Sequence, residues 1–317
     1  MLKVLDTDDY IKKLLALPRT SEKNILAFYE HRLGAICKNP RLMLMPLDDH
    51  MAHRGDGVFE TISAQSSRLY QLPAHIARLE NSAKAILLAP PCPYSHIQRF
   101  ILQVAAAAGE DNCMIRVLLG RGPGGFGVSP QEAPEASLYI VAYAYTPHGP
   151  IFFKKGLSAF RSKYPARDSA IAKVKNTNYQ HSVAMTHEAT ERGMDVALSF
   201  DQEGCLAEAA VANVCLIDQN GNLVVPEFTN ALPGTTILRL MELAKLAQPK
   251  IPVQIRKVKE EEIYTAQEVM LTGTSVSCVA ITSFNGNPIG TGQPGPIARQ
   301  LKMLLDEDLK ENGIKFK

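Results

Sequence analysis

The spacing of apolar residues along the first half of the chain predicts both helices and strands. Residues 19–37 carry apolar side chains at helical spacing, which predicts a helix with Ser21 as its N-cap. Residues 43–64 have the pattern of a strand, a turn and a second strand. Further helices are predicted over residues 75–88 and 96–109, and neighbouring strands over residues 114–120 and 137–145.

The second half of the chain predicts a similar mixture. It opens with a strand near residues 157–165 and a helix over residues 178–193. Two hairpins follow, and the second has a strong turn signal at Asn220-Gly221. The hairpins span residues 196–210 and 212–225, and a helix (235–247), a strand pair (268–286) and a closing helix (296–313) complete the pattern.

A break rich in Pro and Gly at residues 146–156 predicts the boundary between two lobes. The first lobe is expected to span residues 1–148 and the second, larger lobe residues 149–317. Strand pairs and helices are mixed without a regular βαβ alternation, and the sequence has no internal repeat or low-complexity tract. The predicted fold class is therefore α+β.

Composition and charge narrow the classes of partner. The 317 residues are 46% hydrophobic and 21% charged, as in globular proteins. The net charge of +2, with both signs interspersed, does not favour a nucleic acid or an acidic membrane surface as partner. Six separated cysteines without a C-x-x-C pair favour reduced thiols. An acidic amino terminus and the lack of a long apolar segment predict a cytoplasmic protein without a signal peptide or membrane span.

A glycine-rich segment, residues 120–127, formally satisfies the dinucleotide pattern G-x-G-x-x-G after a strand. That pattern requires a following helix, whose amino terminus binds the pyrophosphate. Residues 128–136 contain two prolines and no helical period, so we reject a Rossmann site. A loop at the mouth of a pocket is the preferred interpretation, and a plain flexible loop is the alternative.

His50 and His53 have a spacing that is also found in metal sites. The spacing suits a helix, whereas the surrounding segment predicts strand and turn, and no acidic or cysteine partner completes a ligand set. We therefore predict no metal.

Three separated elements have the chemistry of a phosphate site. Pro233–Thr236 stands at the start of a helix, and Thr272–Ser275 lies between two apolar strands, while Arg78 offers a cation. Taken singly, these elements are equally explained as a helix cap, a tight turn and a solvated arginine.

Lys175 is a candidate for covalent chemistry, and Glu208 is a candidate for an electrostatic contact with a cofactor. A lysine in a K-x-K pair is ordinarily a surface charge, and covalent chemistry would require a buried amine with a lowered pKa. Glu208 is the lone acid of a small, apolar, strand-like run, so it requires a partner if it is buried. A cofactor ring nitrogen and an ordinary salt bridge both satisfy that requirement.

These elements, in this order, resemble the class IV aminotransferases of fold type IV, which include branched-chain transaminases, D-amino-acid transaminases and aminodeoxychorismate lyases. The resemblance runs from about residue 40 to about residue 300. Six segments in register carry it, namely residues 50–61, 75–79, 174–179, 201–214, 232–236 and 272–274.

The resemblance implies a two-lobe enzyme with pyridoxal phosphate in the interlobe cleft. Lys175 becomes the Schiff-base and catalytic lysine, because the family pattern of Lys, two residues and Asn selects it over Lys173. Glu208 is placed on the pyridine nitrogen, and Arg78 on the phosphate. The remaining residues implied to bind the cofactor are Tyr179, Leu232, Gly234, Thr235, Thr236, Gly273 and Thr274.

The resemblance identifies the substrate-binding residues less specifically than the cofactor-binding residues. Phe59, Thr61, Arg121 and Phe126 are expected to face the substrate, with Arg121 as the loop residue for its carboxylate. Phe126 stands where bacterial aminodeoxychorismate lyases carry Arg, and Phe59 where Bacillus-type D-amino-acid transaminases carry Tyr. Residues 42–61 and the glycine-rich loop look most like the plant-type D-amino-acid transaminase and aminodeoxychorismate lyase group.

The resemblance leaves three functions open. A transaminase acting on a small amino acid is favoured, with a D-amino acid slightly preferred and a branched-chain one still open. The alternatives are an aminodeoxychorismate lyase that releases pyruvate and 4-aminobenzoate, and a non-catalytic binding protein of the same fold. The family also implies a homodimer in which the loop 121–128 completes the partner's site.

Overall fold

The computed structural model describes residues 2–317, and these residues form two compact units. The first unit contains the chain up to Thr146 together with Ile314–Lys317, and the second contains Pro147–Gly313. Each unit combines a β-sheet with helices, which confirms the α+β class. Over the described range, no helix has both the length and the apolar character needed to cross a membrane.

The helices and strands alternate irregularly along the chain. The helices are α1 Thr7–Ala16, α2 His50–Arg54, α3 Leu72–Ala85, α4 Tyr94–Ala108, α5 Pro150–Lys155, α6 Ser169–Ala172, α7 Gln180–Arg192, α8 Thr235–Leu246, α9 Glu260–Thr265 and α10 Pro296–Asn312. The strands are β1 Ile25–Glu30, β2 Ala35–Cys37, β3 Gly57–Gln65, β4 Arg68–Leu69, β5 Cys113–Gly120, β6 Ser137–Ala144, β7 Leu157–Arg161, β8 Val196–Phe200, β9 Leu206–Ala209, β10 Asn213–Ile217, β11 Leu223–Pro226, β12 Val253–Arg256, β13 Glu268–Gly273, β14 Ser277–Phe284, β15 Asn287–Pro288 and β16 Ile314–Lys315.

The first unit is built on an antiparallel sheet in the order β16-β4-β3-β5-β6-β1-β2. Alternate residues such as Ile62, Val117 and Ile140 are fully buried on the face against which α3 and α4 pack. The opposite face of the sheet presents Phe59 and Thr61 from β3. Thr61 is paired with Arg116 of β5, so these side chains share that face.

The second unit is built on a mixed sheet in the order β12-β11-β10-β13-β14-β7-β8-β9. Its core is a continuous apolar cluster to which nearly every strand contributes, for example Leu198, Val214 and Val279. Helices α8 and α10 pack together and against β13. The sheet contains β9, which carries Glu208, and α8, which begins at Thr235, packs against its strand β13.

Most of the predicted helices and both predicted hairpins are confirmed, but the helix over residues 19–37 is wrong. That segment forms the antiparallel pair β1 and β2, with Phe28 opposite Cys37. The run Ile25–Tyr29 is continuously apolar, and its helical spacing is incidental to burial in a sheet. Ser21 makes no side-chain cap, and the first 40 residues thus add two strands to the first sheet.

The strand predicted before the turn in residues 43–64 is also wrong. His50–Arg54 is a short helix, because the Asp49 carboxylate accepts a hydrogen bond from the Met51 amide and Gly55 ends the helix at φ 65°. The rings of His50 and His53 therefore meet edge to face, with 5.0 Å between their centroids. Residues 2–317 contain no cluster of three or more His, Cys, Asp or Glu side chains that would hold a metal.

Candidate active site

Lys175 lies in the segment between α6 and α7. Lys173 is exposed and Val174 is buried, while Lys175 is half-buried. The Lys175 Nζ lies 3.2 Å from the Tyr179 hydroxyl and 5.7 Å from the centre of its ring. The segment thus directs one amine of the K-x-K pair inward and the other to solvent.

Glu208 is buried on β9 and is held at both carboxylate oxygens. Arg167 Nη2 donates to Oε1 at 2.6 Å, and the Leu232 amide donates to Oε2 at 3.0 Å. Burial raises the pKa of Glu208, while Arg167, the Leu232 amide and the charge of Lys175 act in the opposite direction. The site therefore contains a fixed carboxylate with an environment that favours binding a cationic or protonated group.

Arg167 is a site residue that the sequence did not reveal. It lies just before α6, and its guanidinium also donates to the Ala172 carbonyl at 3.3 Å. The Asn230 side chain donates to the Arg167 carbonyl at 2.8 Å, which fixes the backbone at this point. Arg167 and Glu208 are 41 positions apart, and no periodicity or local motif links them.

The start of α8 has the features of an anion site. Gly234 is its N-cap residue and supplies no capping side chain, and the first turn contains no acidic residue. Thr235 and Thr236 are buried at this end of a twelve-residue helix. The helix dipole and the first amides favour a phosphate here. Gly273 and Thr274 directly follow Thr272 at the end of β13, and Thr272 pairs with Asn213 of β10.

Arg78, in the first unit, is oriented by an ion pair with Glu60. Its Nε and Nη2 atoms donate to the two Glu60 carboxylate oxygens at 2.7 Å each, and His75 Nδ1 lies 2.7 Å from Oε2. Burial alone would raise the pKa of Glu60, but Arg78 and His75 lower it to about 2. The carboxylate is thus ionised and holds the guanidinium in one orientation.

The Glu60 ion pair makes a pH-dependent contribution to stability. A pKa lowered from 4.5 to about 2 corresponds to about 3 kcal/mol of folding free energy. Because the pKa is lowered, this contribution is complete above about pH 4.5 and is lost as the pH falls toward 2. We expect the difference in unfolding free energy between the wild type and Glu60→Gln, measured by urea denaturation, to shrink over that range. Glu80→Gln, which breaks only an exposed pair with Lys84, should show no such trend. A pH-independent difference for Glu60→Gln would contradict the assignment.

Arg121 does not have the environment expected for a substrate ligand. Its guanidinium donates to both oxygens of Asp56, at 2.9 and 3.1 Å, and to the carbonyls of Ile86 and Leu87, at 2.8 Å each. The residue is only 9% exposed. A substrate carboxylate would have to displace these partners, so Arg121 supports the fold of the first unit.

The glycine-rich loop is held firmly against α2, although its tip is exposed. The Glu132 carboxylate accepts a hydrogen bond from the Gly127 amide at 2.8 Å, and His50 Nε2 lies 2.9 Å from the Gly125 carbonyl oxygen. Only a 3₁₀ turn follows the loop, in agreement with the rejection of a Rossmann site. Phe126 is 68% exposed at the tip.

Arg116 is a second residue that the sequence did not reveal. Its guanidinium lies 4.8 Å from the centre of the Phe59 ring, and Thr61 is its cross-strand partner. Its Nε is buried and finds no hydrogen-bond acceptor within residues 2–317. A buried cationic donor without an acceptor is costly, so the Arg116 Nε is a candidate donor to an anionic ligand.

Comparison with known proteins identifies the family. The model for amino-transferase class IV matches residues 57–284. The chloroplastic D-amino-acid transaminase of Arabidopsis thaliana is 32% identical over 293 residues, covering 91% of this chain and 78% of that protein. The T.th. branched-chain amino acid aminotransferase solved with pyridoxamine 5'-phosphate has a TM-score of 0.85 at 26% identity, covering 90% of this chain and 95% of that one. A putative 4-amino-4-deoxychorismate lyase from Legionella pneumophila has a TM-score of 0.75 at 25% identity, covering 84% and 95%.

This chain therefore belongs to the class IV aminotransferase family. It is an enzyme of fold type IV that depends on pyridoxal phosphate. The residues of the second unit fit that cofactor chemically. The amine of Lys175 suits its aldehyde, the carboxylate of Glu208 suits a basic ring nitrogen, and the uncapped start of α8 suits its phosphate.

Proposed function

We propose that this enzyme is a transaminase for small amino acids, with D-amino acids as the preferred class. The observation that carries the proposal is the set formed by Lys175, Glu208 and the start of α8 within one compact unit. A half-buried amine together with a buried, doubly held carboxylate supports an enzyme over a non-catalytic binding protein. The preference for D-amino acids rests on the likeness to the plant D-amino-acid transaminase.

Lys175 is proposed as the catalytic residue. Bound pyridoxal phosphate withdraws electrons from the substrate Cα and thereby acidifies its proton. The Lys175 Nζ would accept that proton from the substrate Cα as general base and would later give it up as general acid. The Tyr179 hydroxyl, 3.2 Å from Nζ, orients the amine. Glu208 would keep the ring nitrogen of a bound cofactor protonated, and Arg167 would position Glu208.

The remaining cofactor residues are proposed as anchors. In the second unit, the α8 amides and the Thr235 and Thr236 hydroxyls would hold the phosphate, because they lie at the positive end of the helix. Leu232 would pack on the ring. In the first unit, Arg78 would contribute its positive charge. Further phosphate contacts are proposed for Gly234, Gly273 and Thr274.

Arg116 is proposed to bind a substrate carboxylate, beside Phe59 and Thr61. We expect Arg116→Gln to raise KM for the amino acid by about 10- to 100-fold, since a hydrogen bond to a charged group contributes about 1.5–3 kcal/mol. Steady-state kinetics and thermal unfolding measure this effect. The matched variant Arg121→Gln should instead lower the melting temperature, because it breaks the pair with Asp56. An unchanged KM in Arg116→Gln would contradict the assignment.

A lyase acting on aminodeoxychorismate is the second candidate, favoured by the likeness to the Legionella protein. Lys175 and Glu208 would serve both reactions in the same way. The two functions are therefore distinguished by testing which substrates the protein converts. We would add D-alanine, D-glutamate, L-branched amino acids and aminodeoxychorismate to the purified protein. Conversion of the cofactor to its pyridoxamine form by a D-amino acid supports the transaminase. Pyruvate release from aminodeoxychorismate, without that conversion, identifies the lyase and overturns our proposal.

We also propose that the enzyme acts as a homodimer. The exposed ring of Phe126 and the exposed side chain of Val128 project from the tip of a loop that is otherwise rigidly held. An apolar tip on a fixed loop is suited to contact with a second copy of the chain.

A further inference from the structure

We propose that Asn213 is a positioning residue that sets the spacing between the Glu208 carboxylate and the start of α8. This inference rests on the proposed function of both groups as cofactor anchors. Asn213 is 7% exposed at the start of β10, and its side-chain amide donates to the Leu232 carbonyl. Its effect on the cofactor would therefore be transmitted through the backbone between Leu232 and Gly234.

Leu232 is held from both sides. Its amide donates to Glu208 Oε2 at 3.0 Å, and its carbonyl accepts a hydrogen bond from Asn213 Nδ2 at 2.8 Å. Two buried side chains on separate strands, β9 and β10, thus fix a single peptide residue. The position of Leu232 relative to Glu208 depends on the Asn213 donor.

Gly234 lies close to Oδ1, the side-chain oxygen of Asn213. A Cβ at this glycine would lie 2.0 Å from Asn213 Oδ1. The backbone of Gly234 is extended, with φ −68° and ψ 138°, so any residue could adopt it. The requirement for glycine therefore comes from the close approach of Asn213. One amide side chain contacts both ends of the Leu232–Gly234 segment, its nitrogen at one end and its oxygen at the other.

The geometry of the cofactor explains why this spacing matters. Pyridoxal phosphate has a rigid ring, and its phosphate is attached through a methylene group at a fixed ring position relative to the nitrogen. Its affinity depends on two anchors at a fixed separation, whereas a free phosphate ion requires only one. Asn213 is suited to this task because it offers a donor and an acceptor in a small side chain. Leucine has neither, and aspartate has no donor when ionised.

The test compares Asn213→Leu with Asn222→Leu in the full-length holoenzyme. Asn222 lies at the turn of the same hairpin, where it bonds to Asp218 far along the strand from Asn213. We expect Asn213→Leu to release pyridoxal phosphate at least 10-fold faster than the wild type, and Asn222→Leu to remain within about twofold. Gly234→Ala disrupts the same contact from the backbone side, so it should release the cofactor as fast as Asn213→Leu. It serves as the second variant if the Asn213→Leu protein does not fold.

A thermal measurement separates positioning from a general loss of structure. For the Asn213→Leu protein, added pyridoxal phosphate should raise the melting temperature less than in the wild type, while inorganic phosphate should have the same effect in both. Loss of both effects would show that α8 itself is disrupted, and would overturn the inference. Equal release rates in the wild type, Asn213→Leu and Gly234→Ala would also overturn it. Failure of the wild type to retain pyridoxal phosphate would instead refute the proposed function.

Discussion

Replacing Lys175 with alanine is expected to lower transamination by at least about 10³-fold, because one amine both binds the cofactor covalently and moves the substrate proton. General acid–base catalysis alone contributes about 10²–10⁴-fold. The rate should be measured with the best amino acid substrate, together with the visible absorbance of the bound cofactor. The covalent absorbance band should disappear in the variant even when the cofactor remains bound through other contacts.

Lys173→Ala is the matched control for this prediction. Lys173 is exposed, two residues away on the same segment. Its replacement should leave the rate within about twofold, since an exposed surface charge contributes little. If the two variants lost activity equally, or if Lys173→Ala lost more, the assignment of Lys175 would be wrong.

Glu208→Gln is expected to lower kcat by about 10²-fold. Removing a buried electrostatic stabiliser typically costs about 10²–10³ in kcat. Glutamine keeps the shape of the side chain and one carbonyl oxygen for the Leu232 amide, but it loses the negative charge that retains the proton on the ring nitrogen. The measurement is kcat, together with the absorbance of the bound cofactor as a function of pH.

Glu203→Gln is the control, because Glu203 lies on the turn of the same β8–β9 hairpin and pairs with Lys257 in solvent. It should have no effect on kcat. Arg167→Leu should fall between the two, because it leaves the Glu208 carboxylate in place but removes the cation at 2.6 Å. An unchanged kcat in Glu208→Gln would show that the ring nitrogen needs no carboxylate, and the proposed role of Glu208 would fail.

Several parts of the fold could be read from the sequence because their signals are local. The hairpin at Asn220-Gly221 and the helix after Gly234 each depend on a few adjacent residues, and both are confirmed. The helix predicted over residues 19–37 failed because the same apolar spacing suits a buried strand. The choice between helix and strand is decided by strand pairing. Tyr29 pairs with Ile36 across a turn and with Ile140 far along the chain.

Two arginines of the first unit, Arg116 and Arg121, show which parts of the site the sequence does not reveal. Arg121 has the position in the glycine-rich loop that the family resemblance suggests, but Asp56, 65 positions away, engages it. Arg116 lies in the middle of a buried strand, where a charge has no local explanation. The role proposed for it rests on the register with Thr61 and on the ring of Phe59, and both contacts arise from strand pairing across about 55 residues. The sequence does not reveal Arg167 for the same reason, because an ion pair between a loop residue and a strand residue 41 positions away has no pattern in the chain.

The covalent attachment of the cofactor to Lys175 is tested most directly by reducing the purified enzyme with borohydride and locating the modified residue by peptide mass spectrometry. We expect a single phosphopyridoxyl group on Lys175, with Lys173 unmodified on the same peptide. A modification on another lysine, or none in a protein that retains the cofactor, would contradict the catalytic site proposed here.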